Sequence, residues 1–435
     1  MRRLLLDKAL TAQSVREAIP RAESIDSEVT NIVSDIISDV RKNGSKALLS
    51  QAEKFDGVAP KSLRVSESDL NHSLEWLPAD LKLSIEEAIM RVRKVSERGL
   101  AKDFSVDLGE GATVLQRYVP VDSVGLYVPG GKAVYPSSVI MNAVAAQVAN
   151  VPRIVICTPA QKEFGGLPHP SILATAKLLG VTEVYAIGGA GAVAALAYGV
   201  PEIGLEPVTM VTGPGNIFVA TAKRLLRGVI GIDSEAGPTE ILILADEGAN
   251  PAFIAADLIS QAEHDENAAA VLVTDSSLLL DEVESELAIQ VPKTKNRVRV
   301  ETALSGQQSA LVLVPNFEAA IKLANLYATE HLEIHCKDNE SVLDRITNAG
   351  AIFLGDYSPV SLGDYLAGSN HVLPTSEQAK FGPGLGVHTF LRPQQVISYS
   401  KKGLEDVVAK LDVFARAEGL EAHGDAGTIR FSKEK

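Results

Sequence analysis

From about residue 121 onward, short apolar and β-branched runs alternate with alanine-rich stretches whose apolar residues recur at helical spacing. That is the pattern of parallel sheets joined by crossover helices. Runs at 123–128, 153–158, 183–187 and 208–211 each lead through a turn into an expected helix, at 138–149, 171–179, 192–197 and 219–226. A second series at 241–244, 270–274, 310–314, 332–336 and 351–354 again has helices between its strands. Two such blocks predict an α/β protein with two open sheets. Residues 27–101 read as mainly helical with a strand-like interruption at 62–65, and 403–418 as a last amphipathic helix before Gly419. Domain borders fall near 105–120 and 235–240, and no repeat of solenoid period is present.

Composition narrows the function classes. The 435 residues exceed what one core usually organises, and 46% hydrophobic with 22% charged residues is ordinary globular usage. A formal charge of -14 argues against nonspecific binding to nucleic acid or anionic membrane and favours small-molecule partners. The apolar run near Met1 is too short for a signal peptide and no later run approaches a membrane span, so a cytoplasmic chain is expected. The two cysteines, Cys157 and Cys336, lie in apolar strand-like runs and are expected to be buried thiols. A metal, if bound, must take its ligands from histidines, carboxylates or amides.

Three glycine-bearing turns follow strands: Pro129-Gly130-Gly131-Lys132, the run from Gly188 to Ala194, and Gly213-Pro214-Gly215-Asn216. Gly189-Ala190-Gly191-Ala192-Val193-Ala194 fits a relaxed dinucleotide fingerprint, but no acidic residue ends the following strand to bind a ribose. A tight strand-to-helix turn is the better account of it on pattern alone.

Asn250-Pro251 opens a helix on which Gln261 falls within about 20° of Ile254, and His264 within about 20° of Phe253 if the helix persists that far. Two polar groups on an apolar face need partners, either a shared ion or hydrogen bonds within the core. Glu330 and His331 sit between a helix capped by Asn316 and an alternating strand, as a proton-transfer pair or a polar turn. The glycine-rich loop from Gly355 carries Asp364 and continues to His371, leaving the carboxyl end of a strand, where open α/β sheets place ligands. Glu418 falls on the apolar side of the last helix and His423 follows it, positions that equally suit a salt-bridged glutamate and a solvated histidine.

Ser260-Gln261-Ala262-Glu263-His264, Tyr327-Ala328-Thr329-Glu330-His331-Leu332, Gly363-Asp364-Tyr365 through Asn370-His371-Val372-Leu373-Pro374-Thr375, and Gly213-Pro214-Gly215-Asn216 resemble the histidinol dehydrogenase family in order and spacing. The resemblance covers nearly the whole chain and is weakest over the first hundred or so residues. It implies two Rossmann-like open parallel-sheet domains with small N- and C-terminal helical extensions in an intertwined homodimer. Residues 1–24 would form the N-terminal extension, and 25–108 with 238–385 a discontinuous domain carrying the metal and acid/base groups. Residues 109–237 would form the NAD-binding domain, and 386–435 a tail exchanged with the partner subunit.

The same resemblance implies one zinc per subunit held by Gln261, His264, Asp364 and His423, all of them also near the substrate. His423 would be donated across the interface, as would Glu418 and His371. Glu330 would activate water and His331 would be the general base, while Thr239, His371 and Glu418 hold the substrate. Tyr127, Gly191 and Asn216 match NAD contacts. The implied reaction is the two-step, NAD-linked oxidation of L-histidinol through histidinal to L-histidine, the last step of histidine biosynthesis. The chain departs from the family's usual glutamine at Gly191 and frequent serine at Thr239. Alternatives are a zinc- and NAD-dependent dehydrogenase for another small hydroxylated metabolite, or a zinc hydrolase using the same glutamate.

Overall fold

The computed structural model describes residues 1–7, 10–21, 27–130, 134–235 and 237–432. Gly131 and Lys132 of the first glycine turn, and the border expected at 24/25, lie outside the described residues. Among the described residues fourteen strands follow in chain order: β1 Arg2–Leu5, β2 Phe104–Gly109, β3 Ala112–Pro120, β4 Ser123–Tyr127, β5 Arg153–Thr158, β6 Glu183–Ala186, β7 Met210–Thr212, β8 Gly231–Ile232, β9 Glu240–Ala245, β10 Ala269–Thr274, β11 Ala310–Leu313, β12 His331–His335, β13 Ala351–Leu354 and β14 Leu391–Tyr399. They form a six-stranded sheet ordered β1-β11-β10-β9-β12-β13, a five-stranded sheet ordered β6-β5-β4-β7-β8, and a three-stranded sheet ordered β14-β3-β2. The named strands of the first two run parallel, as expected, with one antiparallel bridge from Arg64 to Tyr185 at the β6 edge; the third sheet is antiparallel.

The large sheet is buried on both faces, which is why β9 and β10 are apolar without alternation. Side-chain period two sorts β9 between two cores. Ile241, Ile243 and Ala245 pack with Ile254 and Leu258 of the Pro251–Ala262 helix, and Leu242 and Leu244 with Leu323 and Tyr327 of the Phe317–Tyr327 helix. In both parallel sheets the chain winds outward from a central strand and then returns to its other side. The reversals fall between β4 and β7 in one and between β9 and β12 in the other.

Four expectations need correction. The N-terminal extension is not purely helical, because β1 extends the edge of the large sheet through pairing with β11. The helices of 27–98 share cores with the five-stranded sheet, Val33, Val40 and Leu48 on one face and Leu70, Ile85 and Val92 on the other. Their apolar stripes therefore cover the 109–237 unit rather than the 238–385 unit with which 25–108 was grouped. The strand-like residues near 62–65 do join that same sheet, since Val65 N–H donates to Val184 O and Ala186 N–H to Leu63 O. The helix expected at 403–418 is two, Lys401–Glu405 and Val408–Ala417, because Val407 leaves helical geometry at φ -121°; the left-handed Gly419 ends it as expected, and a further helix, Glu421–Thr428, follows. Cys157 is fully buried, with its thiol pushed up by burial, whereas Cys336 is only partly buried.

Candidate active site

Glu330 and His331 stand at the amino end of β12, beside Thr239 and Glu240 at the amino end of β9. The Glu330 carboxylate accepts from the Thr239 hydroxyl at 2.6 Å and from the Glu240 N–H at 2.9 Å through one oxygen. That oxygen is also 3.5 Å from His331 Nδ1. Burial pushes the Glu330 carboxyl up to about 7, opposed by His331 and by the two hydrogen bonds. His331 Nδ1 lies 3.0 Å from Glu240 O. A carbonyl only accepts, so Nδ1 carries the proton and Nε2 keeps its lone pair.

Gln261 ends the Pro251–Ala262 helix, which runs antiparallel to β9 and so delivers its last turn to the same end of the sheet. Gln261 is buried, and its Nε2 donates to Thr239 Oγ1 at 2.6 Å, which turns its carbonyl oxygen away from that bond. His264, just past the helix, has Nε2 3.8 Å from Asp364 Oδ2. Asp364 belongs to the short Val360–Tyr365 helix. This helix brings the glycine-rich loop back from the carboxyl end of β13, where the loop was expected to act. Its residues gather instead at the amino ends of the strands.

His371 Nδ1 is 3.0 Å from Asp364 O and 3.8 Å from its carboxylate. His371 therefore reaches the cluster from its own chain, and its expected donation across an interface is not needed. Burial lowers the pKa of both His264 and His371, opposed by the Asp364 charge, and so favours the neutral ring that can give a lone pair. Glu418 and His423 are exposed on the C-terminal helices, and their side chains have no contact with this cluster among the described residues. The expected burial of Glu418 does not occur within one chain.

The opposite wall comes from the five-stranded sheet. His371 Nε2 is 3.3 Å from Ser138 Oγ, and Asn370 Nδ2 donates to Met141 O, both on the Pro136–Val148 helix that follows β4. Tyr135, in the turn before it, lies within the electrostatic reach of Arg299 and Asp364, and burial raises its hydroxyl. Ser138, Tyr135 and Arg299 carried no signal in the sequence, since a serine in a helix and a tyrosine in a turn are ordinary there. The carboxyl end of one sheet thus faces the amino end of the other across a cleft.

At that carboxyl end Tyr127 closes β4, and Asn216 caps the Ile217–Leu226 helix through bonds from Phe218 N–H and Val219 N–H. Between β4 and β7 Gly213 adopts φ +117°, and a Cβ there would lie 2.1 Å from Tyr127 O. Only glycine fits. Buried Asp233 accepts from Gly213 N–H at 2.8 Å and pairs with buried Lys223, whose ammonium donates to Gly213 O. The cradle fits a dinucleotide, because a glycine backbone at a topological switch point lets a pyrophosphate approach closely. The Gly188–Gly191 turn follows β6, the outermost strand, rather than the central one that carries the fingerprint in a dinucleotide sheet.

A second polar cluster lies deeper, where Asp257, Glu333 and His335 converge with ligating atoms within 4.8 Å of one another. This is a different set from the expected metal ligands, and its chemistry is also that of a cation site. Its members already partner one another: His335 Nε2 is 3.2 Å from Glu333, and Nδ1 is 3.3 Å from Asp356. Val360 N–H donates to the other Glu333 oxygen. Burial, then the Glu333 charge, raises the Asp257 carboxyl, and its hydrogen bond with Glu333 ties the Gln261 helix to β12.

A dinucleotide-type sheet facing a cleft of carboxylate, imidazole and hydroxyl groups defines an oxidoreductase of the dehydrogenase class. Residues 19–431 match the family model described as histidinol dehydrogenase. Histidinol dehydrogenase of Leifsonia xyli is 53% identical over 423 residues, covering 97% of each chain. That of Thermobifida fusca is 54% identical over 420 residues, covering 97% of this chain and 95% of the relative. The crystal structure of histidinol dehydrogenase from Elizabethkingia anophelis superposes with a TM-score of 0.93 at 31% identity, covering 99% of this chain and 98% of that one. The chain belongs to the histidinol dehydrogenase family.

Proposed function

We propose that the cleft oxidises L-histidinol through histidinal to L-histidine, with NAD as hydride acceptor in both steps and one zinc per subunit as an anchor for the substrate. The observation that carries this reading is the Thr239–Glu330–His331–Glu240 set, which prepares two bases of different character. His331, fixed through Nδ1, offers Nε2 to the alcohol proton in the first oxidation. Glu330, whose proton affinity burial raises to a pKa of about 7, takes a proton from water in its ionised form so that the aldehyde is hydrated before the second.

Gln261, His264 and Asp364 would hold the zinc, supplying an amide oxygen, a neutral imidazole and a carboxylate. The Gln261 Nε2 bond to Thr239 orients the amide so that its oxygen is free for that purpose. The ion would supply Lewis acidity that grips the amine and imidazole of histidinol. His423 would complete the set from a second copy. In the single chain the C-terminal helices leave Val413 and Phe414 about seven-tenths exposed, at 69% and 70%, an apolar face suited to burial against that copy. Tyr127, Gly191 and Asn216 would line the NAD crevice, and Thr239, His371 and Glu418 the substrate site.

A steady-state assay tests the reading. NADH should form with histidinol at about two per substrate consumed and far more slowly with other small amino alcohols. No NADH from histidinol would refute it.

A further inference from the structure

We propose that Gln51 is a dinucleotide-binding residue, its carboxamide occupying the space that a side chain at position 191 would fill and donating to the adenosine half of the dinucleotide. The assignment rests on reading the Tyr127 to Asn216 crevice as the NAD site. Gly191 lies in the first turn of the Gly189–Tyr198 helix. A Cβ built there would stand 2.2 Å from Gln51 Oε1 and 3.4 Å from Leu48 Cδ2. The Gln51 amide fills the volume that a side chain at 191 would enter, so a larger residue at 191 requires Gln51 to swing aside.

The other end of that amide is unsatisfied. Gln51 Nε2 is buried without a hydrogen-bond partner among the described residues. Buried donors are nearly always paired, so one left open beside a ligand crevice is explained by an acceptor that arrives with the ligand. The backbone around it is unusual as well. Gln51 ends the Ser45–Gln51 helix, and the chain continues as a wide π turn over Ala52–Asp56, a geometry frequent at functional sites.

The far end of the turn points to the same place. Asp56 bonds the Ala160 backbone just beyond β5 and lies 3.5 Å from where a Gly188 Cβ would be. Sheets of this winding place the carboxylate for the adenosine ribose at the end of that second strand. No acidic residue ends β5 in sequence, and here one arrives from the N-terminal helices. Tyr127, whose hydroxyl accepts from Gly189 N–H at 3.2 Å, joins the same group. Gln51 therefore sits on the adenosine side of the crevice.

Titrating the full-length, zinc-loaded enzyme with NADH and following nucleotide fluorescence tests the assignment without turnover. Gln51→Ala should weaken NADH binding about tenfold, and Gln51→Glu, equal in volume but lacking the donor, at least as much. Gly191→Gln alone should also weaken binding, because its side chain meets Gln51. The double variant Gln51→Ala with Gly191→Gln should recover to within about threefold of the parent, since the carboxamide returns from the other side. If Gln51→Ala does not fold, the isosteric Gln51→Glu decides. Binding within about twofold of the parent in the Gln51 variants overturns the role of Gln51 while leaving the crevice intact. Failure of the parent itself to bind NADH removes the crevice reading and this assignment with it.

Discussion

At the residue scale, the proposed chemistry turns on a carboxylate kept near its titration point. Glu330 and His331 were legible in the sequence only as an adjacent pair at a helix-to-strand junction. Their hydrogen bonds to the start of β9 depend on a β9–β12 register that spacing along the chain does not encode. Because the Glu330 carboxyl titrates at about 7, oxidation of histidinal should rise as pH passes through 7, while the alcohol step follows a different profile. Glu330→Gln should slow the aldehyde step by about 10²–10⁴-fold, measured by supplying histidinal directly. Stability gives an independent check. The folded pKa is raised above 4.5, so the glutamate's contribution is fully present below that pH and is lost as pH rises through about 7. The melting temperature of Glu330→Gln should therefore gain on the parent between pH 5 and pH 8, and an unchanged difference would count against a buried, neutralised carboxyl. Thr239→Val should cost about 1–3 kcal/mol by denaturant unfolding, since it leaves both Glu330 and Gln261 short of a partner; Thr239→Ser should cost far less.

Elements were the most legible scale. Apolar runs and helical periodicity located the strands of both parallel sheets, β1 and the two-residue β8 excepted, because a strand buried on both faces is apolar at every position. The antiparallel β2, β3 and β14 escaped notice for the opposite reason: β2 is exposed throughout, so the alternation of Phe104, Val106 and Leu108 marks no buried face, and β14 is largely exposed and does not alternate cleanly. Glycine-rich turns were visible, but not which of them lies at a switch point, because that follows from strand order. The Gly213 loop is the instructive case. Its conformation is held by Lys223 ten residues on and Asp233 twenty residues on, and a buried lysine on a helix looks like any other in sequence. Lys223→Met should leave Asp233 buried without its counter-charge and destabilise the protein by about 3–5 kcal/mol in chemical unfolding. At temperatures where the variant remains folded, NADH affinity should fall as well, because the loop loses its anchor; unchanged stability and affinity would show that the pair is dispensable.

The whole molecule poses the question that one chain cannot answer by packing alone. Three of the expected zinc ligands lie on one side of a cleft, while His423 stands on an exposed helix whose apolar neighbours Phe414 and Ile429 are uncovered, the latter at 65%. A symmetric pair in which each tail crossed to the other copy would cover those faces and complete both sites at once. The arrangement has a consequence that a self-contained site lacks. Glu330→Gln and His423→Ala should each be inactive as pure proteins, the first with its zinc retained and the second depleted of metal by elemental analysis. Unfolded together and refolded, half of the dimers would be mixed. In a mixed dimer one site collects both defects, while the other pairs an intact Glu330 with an intact His423. Activity should recover to about a quarter of the parent value. If His423 served its own chain, every site in every dimer would carry one lesion and mixing would restore nothing. The same experiment locates Glu418, since Glu418→Ala should complement Glu330→Gln but not His423→Ala if both residues travel on the exchanged tail.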